Sequence, residues 1–297
     1  IVDADTTPPE LQGFSLDRHT FTPNRDGVDD RVKITYYLTK KAHTLVYLLD
    51  DEGKKYPIER DPTNSATPDG EIGPYTYDYE GGVDKGAEPP PDGIYTVVAF
   101  AEDSVGNKTT VTDTLEIRDG GVPRGTIVGL EWAVSDTIIP IGGTLYFTAT
   151  VENYGETPIR TTGPEPGTQY TTDWNAATLG YYASSGAFRF GLGFDNCPIG
   201  DYPWRWSVGH YSELEAVQHG DETLYYLMPG QRALVTGSVQ ILSPPPRNPT
   251  AFWVGLIHED VEIVNPRVDP KWITVDIEPT GPWGDVATAT PMVESDE

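Results

Sequence analysis

The stretch FTPNRDGVDD at residues 21–30 is the one most able to do chemistry. Asn24, Asp26 and Asp30 place hard oxygen donors around Gly27, Asp29 adds a carboxylate, and a carbonyl near Val28 would add another donor; Ca2+ takes ligands of this kind. The run lacks the twelve-residue loop and closing bidentate Glu of an EF-hand. Equally, Asn24 and Asp26 suit Asx turns, accepting backbone N–H groups and shaping the approach to the following strand, which is the commoner use of short Asn/Asp/Gly runs. The sequence alone leaves both readings open.

A second candidate is aromatic. Trp174, Tyr181, Tyr182, Trp204, Trp206 and Tyr211 supply flat apolar faces of the kind that stack on pyranose rings, which would make a carbohydrate-binding module. Trp204 and Trp206 stand two apart in YPWRWSV, so they face one way and are expected in the core, leaving Trp174, Tyr181 and Tyr182 as the ligand-binding candidates. Asn107-Lys108-Thr109 is an N-x-T sequon on an expected hairpin turn, a candidate glycosylation site. For catalysis, the five histidines at 19, 43, 210, 219 and 258 are scattered, with no HExxH and no GxSxG. His258-Glu259-Asp260 is the best acidic cluster, but successive strand residues point to opposite faces. No catalytic residues are assigned and no enzyme is expected.

Composition narrows the partners. The net charge is −26, with 23 acids against 12 bases in residues 1–118 and 23 against 8 in 119–297, so it is a property of the whole surface. Such a surface repels nucleic-acid phosphates and anionic lipid. The single cysteine, Cys197, excludes an intrachain disulfide. No apolar run approaches the length of a membrane span, and no signal-peptide pattern opens the chain, which starts at Ile1 as expected of a processed or excised segment.

The elements that must position these residues read as strands. Gly and Pro are abundant, at 31 and 27 residues, alongside 11% aromatics, the signature of short strands and tight turns, hence an all-β class. Val32, Ile34, Tyr36 and Leu38 alternate onto one face. A strand and turn follow in TLVYLLDDEGKKY, residues 61–92 are expected to be loop, and GIYTVVAFAEDSVGNKTTVTDTLEI reads as a hairpin turning at DSVGN. In the second part Leu145, Phe147, Ala149 and Val151 are expected to face inward, with further strands at AFRFGLGF, YPWRWSVG, RALVTGSVQIL, AFWVGLIHEDVEIV and KWITVDIE. The organisation expected is two tandem β-sandwiches: a linker or arm at 1–10, a sandwich at 11–118, a short Gly/Pro linker at 119–125, and a larger sandwich at 126–280 with an aromatic insert at 163–186. Residues 281–297 form a C-terminal tail.

FTPNRDGVDDRVKITYYL resembles the FTPNGDG-x-ND opening of the bacterial Ig-like domains found in the flagellar hook-cap protein and in secreted and cell-surface modules. PDGIYTV at 91–97 is similar to their P-x-G-x-Y-x-V strand, and DSVGN at 103–107 to their D-x-x-G-N hairpin. The chain departs from that pattern at Arg25, where the family has Gly, and at Asp29, where it has Asn. More loosely, VENYGETP and LMPGQRALVTGSV resemble adhesion-type Ig-like modules. The resemblance implies modules that connect, space or present other domains outside the cytoplasm, without catalytic activity.

The function expected is therefore a non-enzymatic extracellular structural or adhesive protein: a component of a bacterial cell-surface layer, filament or adhesin. Its partners would be its own copies or neighbouring surface domains, no cofactor would be required, and Ca2+ is the candidate cation. The alternative is a carbohydrate-binding module of a larger secreted enzyme or adhesin, with glycans as partners.

Overall fold

The computed structural model describes residues 5–60, 66–133 and 137–277. The expected tail at 281–297, and residues 1–4 of the expected arm, lie outside them. Among the described residues the protein is all-β, with twenty strands in four sheets, two large cores and a small apolar cluster of Tyr202, Ala251, Trp253 and Ile257.

The first eight strands enclose one core: β1 (Leu11–Leu16), β2 (Thr20–Phe21), β3 (Val32–Leu38), β4 (His43–Leu49), β5 (Lys55–Pro57), β6 (Gly73–Tyr79), β7 (Gly93–Glu102) and β8 (Lys108–Ile117). They form a sheet in the order β1-β3-β6 and another in the order β2-β8-β7-β4-β5. Alternation sets which residues meet between them, as successive strand side chains take opposite faces. Val32, Ile34, Tyr36 and Leu38 are all buried, against Leu48, Val97 and Leu115 of the facing sheet. The DSVGN hairpin pairs β7 with β8 in unbroken register from Gly93–Ile117 to Glu102–Lys108.

The loop expected at 61–92 needs correction, because β6 lies within it. GPYTYDY is rich in Tyr between Gly and Pro, and its tyrosines alternate inward: Tyr75 stacks on Tyr36 with centroids 5.0 Å apart, and Tyr77 shares a 3.1 Å hydroxyl hydrogen bond with it. The flanking Gly and Pro obscured a strand whose period of two was intact.

Twelve strands surround the second core: β9 (Gly125–Trp132), β10 (Ile138–Pro140), β11 (Thr144–Asn153), β12 (Ile159–Thr161), β13 (Gln169–Thr171), β14 (Phe188–Phe194), β15 (Trp204–Ser207), β16 (Glu215–His219), β17 (Glu222–Leu227), β18 (Arg232–Gln240), β19 (Thr250–His258) and β20 (Glu262–Asp276). A four-stranded sheet runs β13-β18-β11-β9. An eight-stranded one runs β10-β20-β19-β14-β12-β17-β16, with β15 joined to β14. Leu145, Phe147, Ala149 and Val151 are buried as the alternation requires. Phe147 stacks on Phe190 and meets Trp206 edge-on, so Trp204 and Trp206 belong to this core. The insert at 163–186 is partly sheet: β13 pairs in parallel with β18.

The Gly/Pro segment between the cores is pinned along its length. Arg118 and Gly121 donate their backbone N–H groups to the carbonyls of Phe21 and Pro23. Asp119 and Gly120 donate theirs to the two oxygens of Asp92 (2.8 and 3.0 Å). Residues 5–10 are likewise held: Lys40 Nζ donates to the Thr7 carbonyl (2.8 Å), and the Asn107 side chain to the Asp5 carbonyl (3.0 Å).

Candidate functional site

Loop 21–30 folds on itself through its own carboxylates. Asn24 Oδ1 accepts from Asp26 N (3.0 Å), and Asp26 Oδ1 from Val28 N (2.8 Å), which are two successive Asx turns. Asp30 accepts from Asn24 N, Asp26 N and, at 2.7 Å, Gly27 N. Thr22 closes the turn by donating its hydroxyl to the Val28 carbonyl at 2.8 Å. Asn24, Asp26 and Asp30 are thus brought together, with oxygens directed at backbone amides. Asp29 points away and pairs with Arg18 and His219. Among the described residues, no group of three or more His, Cys, Asp or Glu side chains is arranged to hold a metal ion.

The folded loop is the plug between the two cores. Arg160 on β12, buried in the second core's sheet, donates Nε to the Asp26 carbonyl (2.6 Å), Nη2 to the Ser185 carbonyl (2.6 Å) and Nη1 to Ser184 Oγ (3.2 Å). Tyr226 on β17 donates its hydroxyl to Asp26 Oδ2 (2.9 Å). His258, at the end of β19, donates Nε2–H to the Arg25 carbonyl (2.8 Å) and stacks on Phe188. Gly27 and Gly186 cross so closely that a Cβ on Gly27 would overlap the Ser185 carbonyl, and one on Gly186 the Asp26 backbone. Both have positive φ (83° and 80°), so glycine meets a steric and a conformational need at each position.

Burial sets the electrostatics of this plug. It pushes the Asp26 carboxyl up to about 6; the neighbouring Asp30 adds to the rise, while Val28 N–H, the Tyr226 hydroxyl and Arg160 oppose it. Asp30 is raised too, chiefly by burial. Burial pushes His258 down to about 4, fixing the neutral imidazole that donates to Arg25.

The aromatic candidates divide. Trp174 and Tyr182 are 51% and 72% exposed and Tyr181 is 37% exposed, whereas Trp204 and Trp206 are buried and Tyr211 stacks flat on Tyr225 at 4.1 Å. Two buried arginines fix the end of the insert: Arg189 Nη2 donates to the Tyr182 carbonyl (2.7 Å), and Arg160 holds Ser184 and Ser185. Glu259 lies between Arg189 (3.4 Å) and Arg205 (2.6 Å), so the buried guanidinium is paired. His258 and Glu259 are both buried but serve separate partners, as their opposite directions require. Asn107, the sequon residue, donates its amide to Asp103 Oδ2 (2.9 Å) as well as to Asp5.

Arg160 and Tyr226 are not legible in the sequence because each meets its partner only through tertiary structure; Arg189 bonds the Tyr182 carbonyl only seven residues back, with no sequence pattern that marks it. Arg160 and Tyr226 lie 134 and 200 residues from Asp26. The strand that holds Arg160, TPIRTT, is mostly polar and too short to show a period, so its burial, and with it the need of the charge for a partner, is not visible along the chain.

The site is therefore a buried polar junction between two β-cores. No family model and no curated protein matches the chain. Among solved structures it aligns with Bacteroides ovatus mixed-linkage glucan utilization locus SGBP-B in complex with mixed-linkage heptasaccharide, at 12% identity and TM-score 0.22, over 91% of this chain and 47% of that one. It also aligns with native Escherichia coli alpha-2-macroglobulin, at 12% identity and TM-score 0.23, over 92% of this chain and 17% of that one. The chain spans less than half the length of either protein, and likeness at these scores carries no argument about fold or function.

Proposed function

We propose that the chain is a non-enzymatic structural or adhesive component of a bacterial cell surface, made of two Ig-like sandwiches that act as one strut. The observation that carries this reading is the plug. The loop with the most distinctive sequence directs its carboxylates at its own amides and offers its backbone carbonyls and Asp26 to Arg160, Tyr226 and His258. A junction of this kind supports a spacer, whose task is to hold two ends at a fixed separation. The sheet pairs around two cores and the three sequence motifs of residues 21–107 support the Ig-like reading of the halves. No helix among the described residues is long and apolar enough to cross a membrane.

Immunogold labelling of source cells, with negative-stain microscopy of the purified chain, tests the proposal. Label on the cell surface and ordered assemblies with copies or neighbours are expected; label confined to the cell interior overturns it. Ca2+ is a secondary proposal for Asn24, Asp26 and Asp30. A melting temperature unchanged between calcium and chelator would retire it.

A second reading, glycan binding, is favoured by the exposure of Trp174 and Tyr182 on an insert whose end is held by buried arginines. Aromatic faces presented rigidly suit sugar stacking. A glycan array should give saturable binding that is lost in Trp174→Ala, and a blank array removes this reading.

A further inference from the structure

The hairpin of β16 and β17 presents a face that overhangs loop 21–30. Its facing pairs Glu215–Tyr226, Val217–Leu224 and His219–Glu222 share that side, and the period of two brings Met228 into line. Between this face, the loop and Asp119 lies a cleft of ≈ 340 Å³, within the range of ligand-sized pockets. Its floor is apolar, made by Val28, Val217, Leu224 and Met228, and Val217 is 44% exposed. Its rim is acidic, and neither Lys nor Arg lines it. Asp29 on that rim is already paired with Arg18 and His219. Glu215 makes no salt bridge among the described residues, and Asp119 has only the neighbouring, outward Arg118 as a charge partner, which does not line the cleft.

A second, independent feature adjoins the cleft. β16 is the last strand of the eight-stranded sheet, with all five residues exposed and, among the described residues, no strand on its outer side. Such an edge offers unpaired N–H and C=O groups to an extended chain. An acidic rim without a lining Lys or Arg, set over an apolar floor, selects a cation carried on an apolar stem, as in Lys and Arg. The open edge selects a polypeptide over a free amine.

We propose that β16 and its cleft form a docking site for an extended segment of a partner polypeptide. The segment adds to the β16 edge and inserts one Arg or Lys between Asp119 and Glu215, its stem against Val217, Leu224 and Met228. This inference stands on the cleft and the edge, independently of the structural reading given above.

The test uses the full chain and labelled heptapeptides of alternating Thr and Val with Arg, norleucine or Glu at the centre, followed by fluorescence polarisation and amide chemical shifts. The Arg peptide is expected to bind about tenfold or more tightly than the norleucine peptide, and the Glu peptide least, since rim charge acts through complementarity. Shifts should cluster on β16, Val28 and Leu224. Glu215→Lys, exposed and so tolerated by the fold, should weaken the Arg peptide about tenfold, while Glu52→Lys, the same charge change outside the cleft, should not. Equal losses in the two variants would mean general attraction to an acidic surface and overturn the proposal. So would absence of binding at millimolar peptide. Equal binding of free arginine amide would overturn the peptide edge, reducing the site to a small-cation pocket.

Discussion

Burial and the neighbouring Asp30 favour the neutral form of the Asp26 carboxyl, against the hydrogen bonds it accepts from Val28 N and the Tyr226 hydroxyl. Its pKa is raised from 3.8 to about 6, so between those values the native state holds a proton that the unfolded chain has released. The native state therefore gains stability from this group as pH falls through that window, with the gain complete below 3.8. His258 works the other way: its pKa drops from 6.5 to about 4, so stability is lost as pH falls through that range. The two oppose each other, so removing either one should tilt the pH response of stability relative to the wild type. For Asp26→Asn, the melting temperature relative to wild type should be highest near pH 8 and decline towards pH 5; a difference independent of pH would count against a buried charge at this position. For His258→Gln, the relative melting temperature should rise as pH falls through the same range.

At the scale of elements, two loops are held by buried arginines, and each can be released separately. Gly27→Ala introduces a Cβ that meets the Ser185 carbonyl, at a φ of 83° that alanine adopts only under strain. It should cost more than about 1 kcal/mol and act on the junction rather than on either core. In a thermal scan, one transition should split into two; a single, equally shifted transition would show that the junction does not couple the cores. Arg189→Leu leaves Glu259 to Arg205 and frees the Tyr182 carbonyl. Because Glu259 keeps its charge partner, the loss is mainly that of a charged donor to the Tyr182 carbonyl and should cost about 1–3 kcal/mol. Hydrogen exchange should quicken at residues 180–186 before it does in β14.

For the whole molecule, the hydrogen bonds of loop 21–30 and of residues 118–121 predict that small-angle scattering fits a single rigid shape for the wild type. Arg160→Ala, which removes three hydrogen bonds spanning the junction and the 184–185 strap, should enlarge the radius of gyration and require several relative orientations. An unchanged profile would show that the connector alone sets the geometry. The strands are legible in the sequence where alternation meets apolar residues, as in β3 and β11, because alternate side chains must fall on the buried face, and where a turn marks a hairpin, as DSVGN does between β7 and β8. β6 was obscured by Gly and Pro, and β13, β16 and β17 by polar or exposed residues, whose pairing depends on a neighbour rather than on their own pattern. The turn chemistry of FTPNRDGVDD was also local, since Asx bonds span two residues, so the self-satisfied loop could be read as one of two alternatives. What occupies the other side of that loop was decided by tertiary structure alone. A buried arginine, tyrosine and histidine drawn from distant strands meet it only when the second core has formed, and no spacing along the chain encodes that meeting.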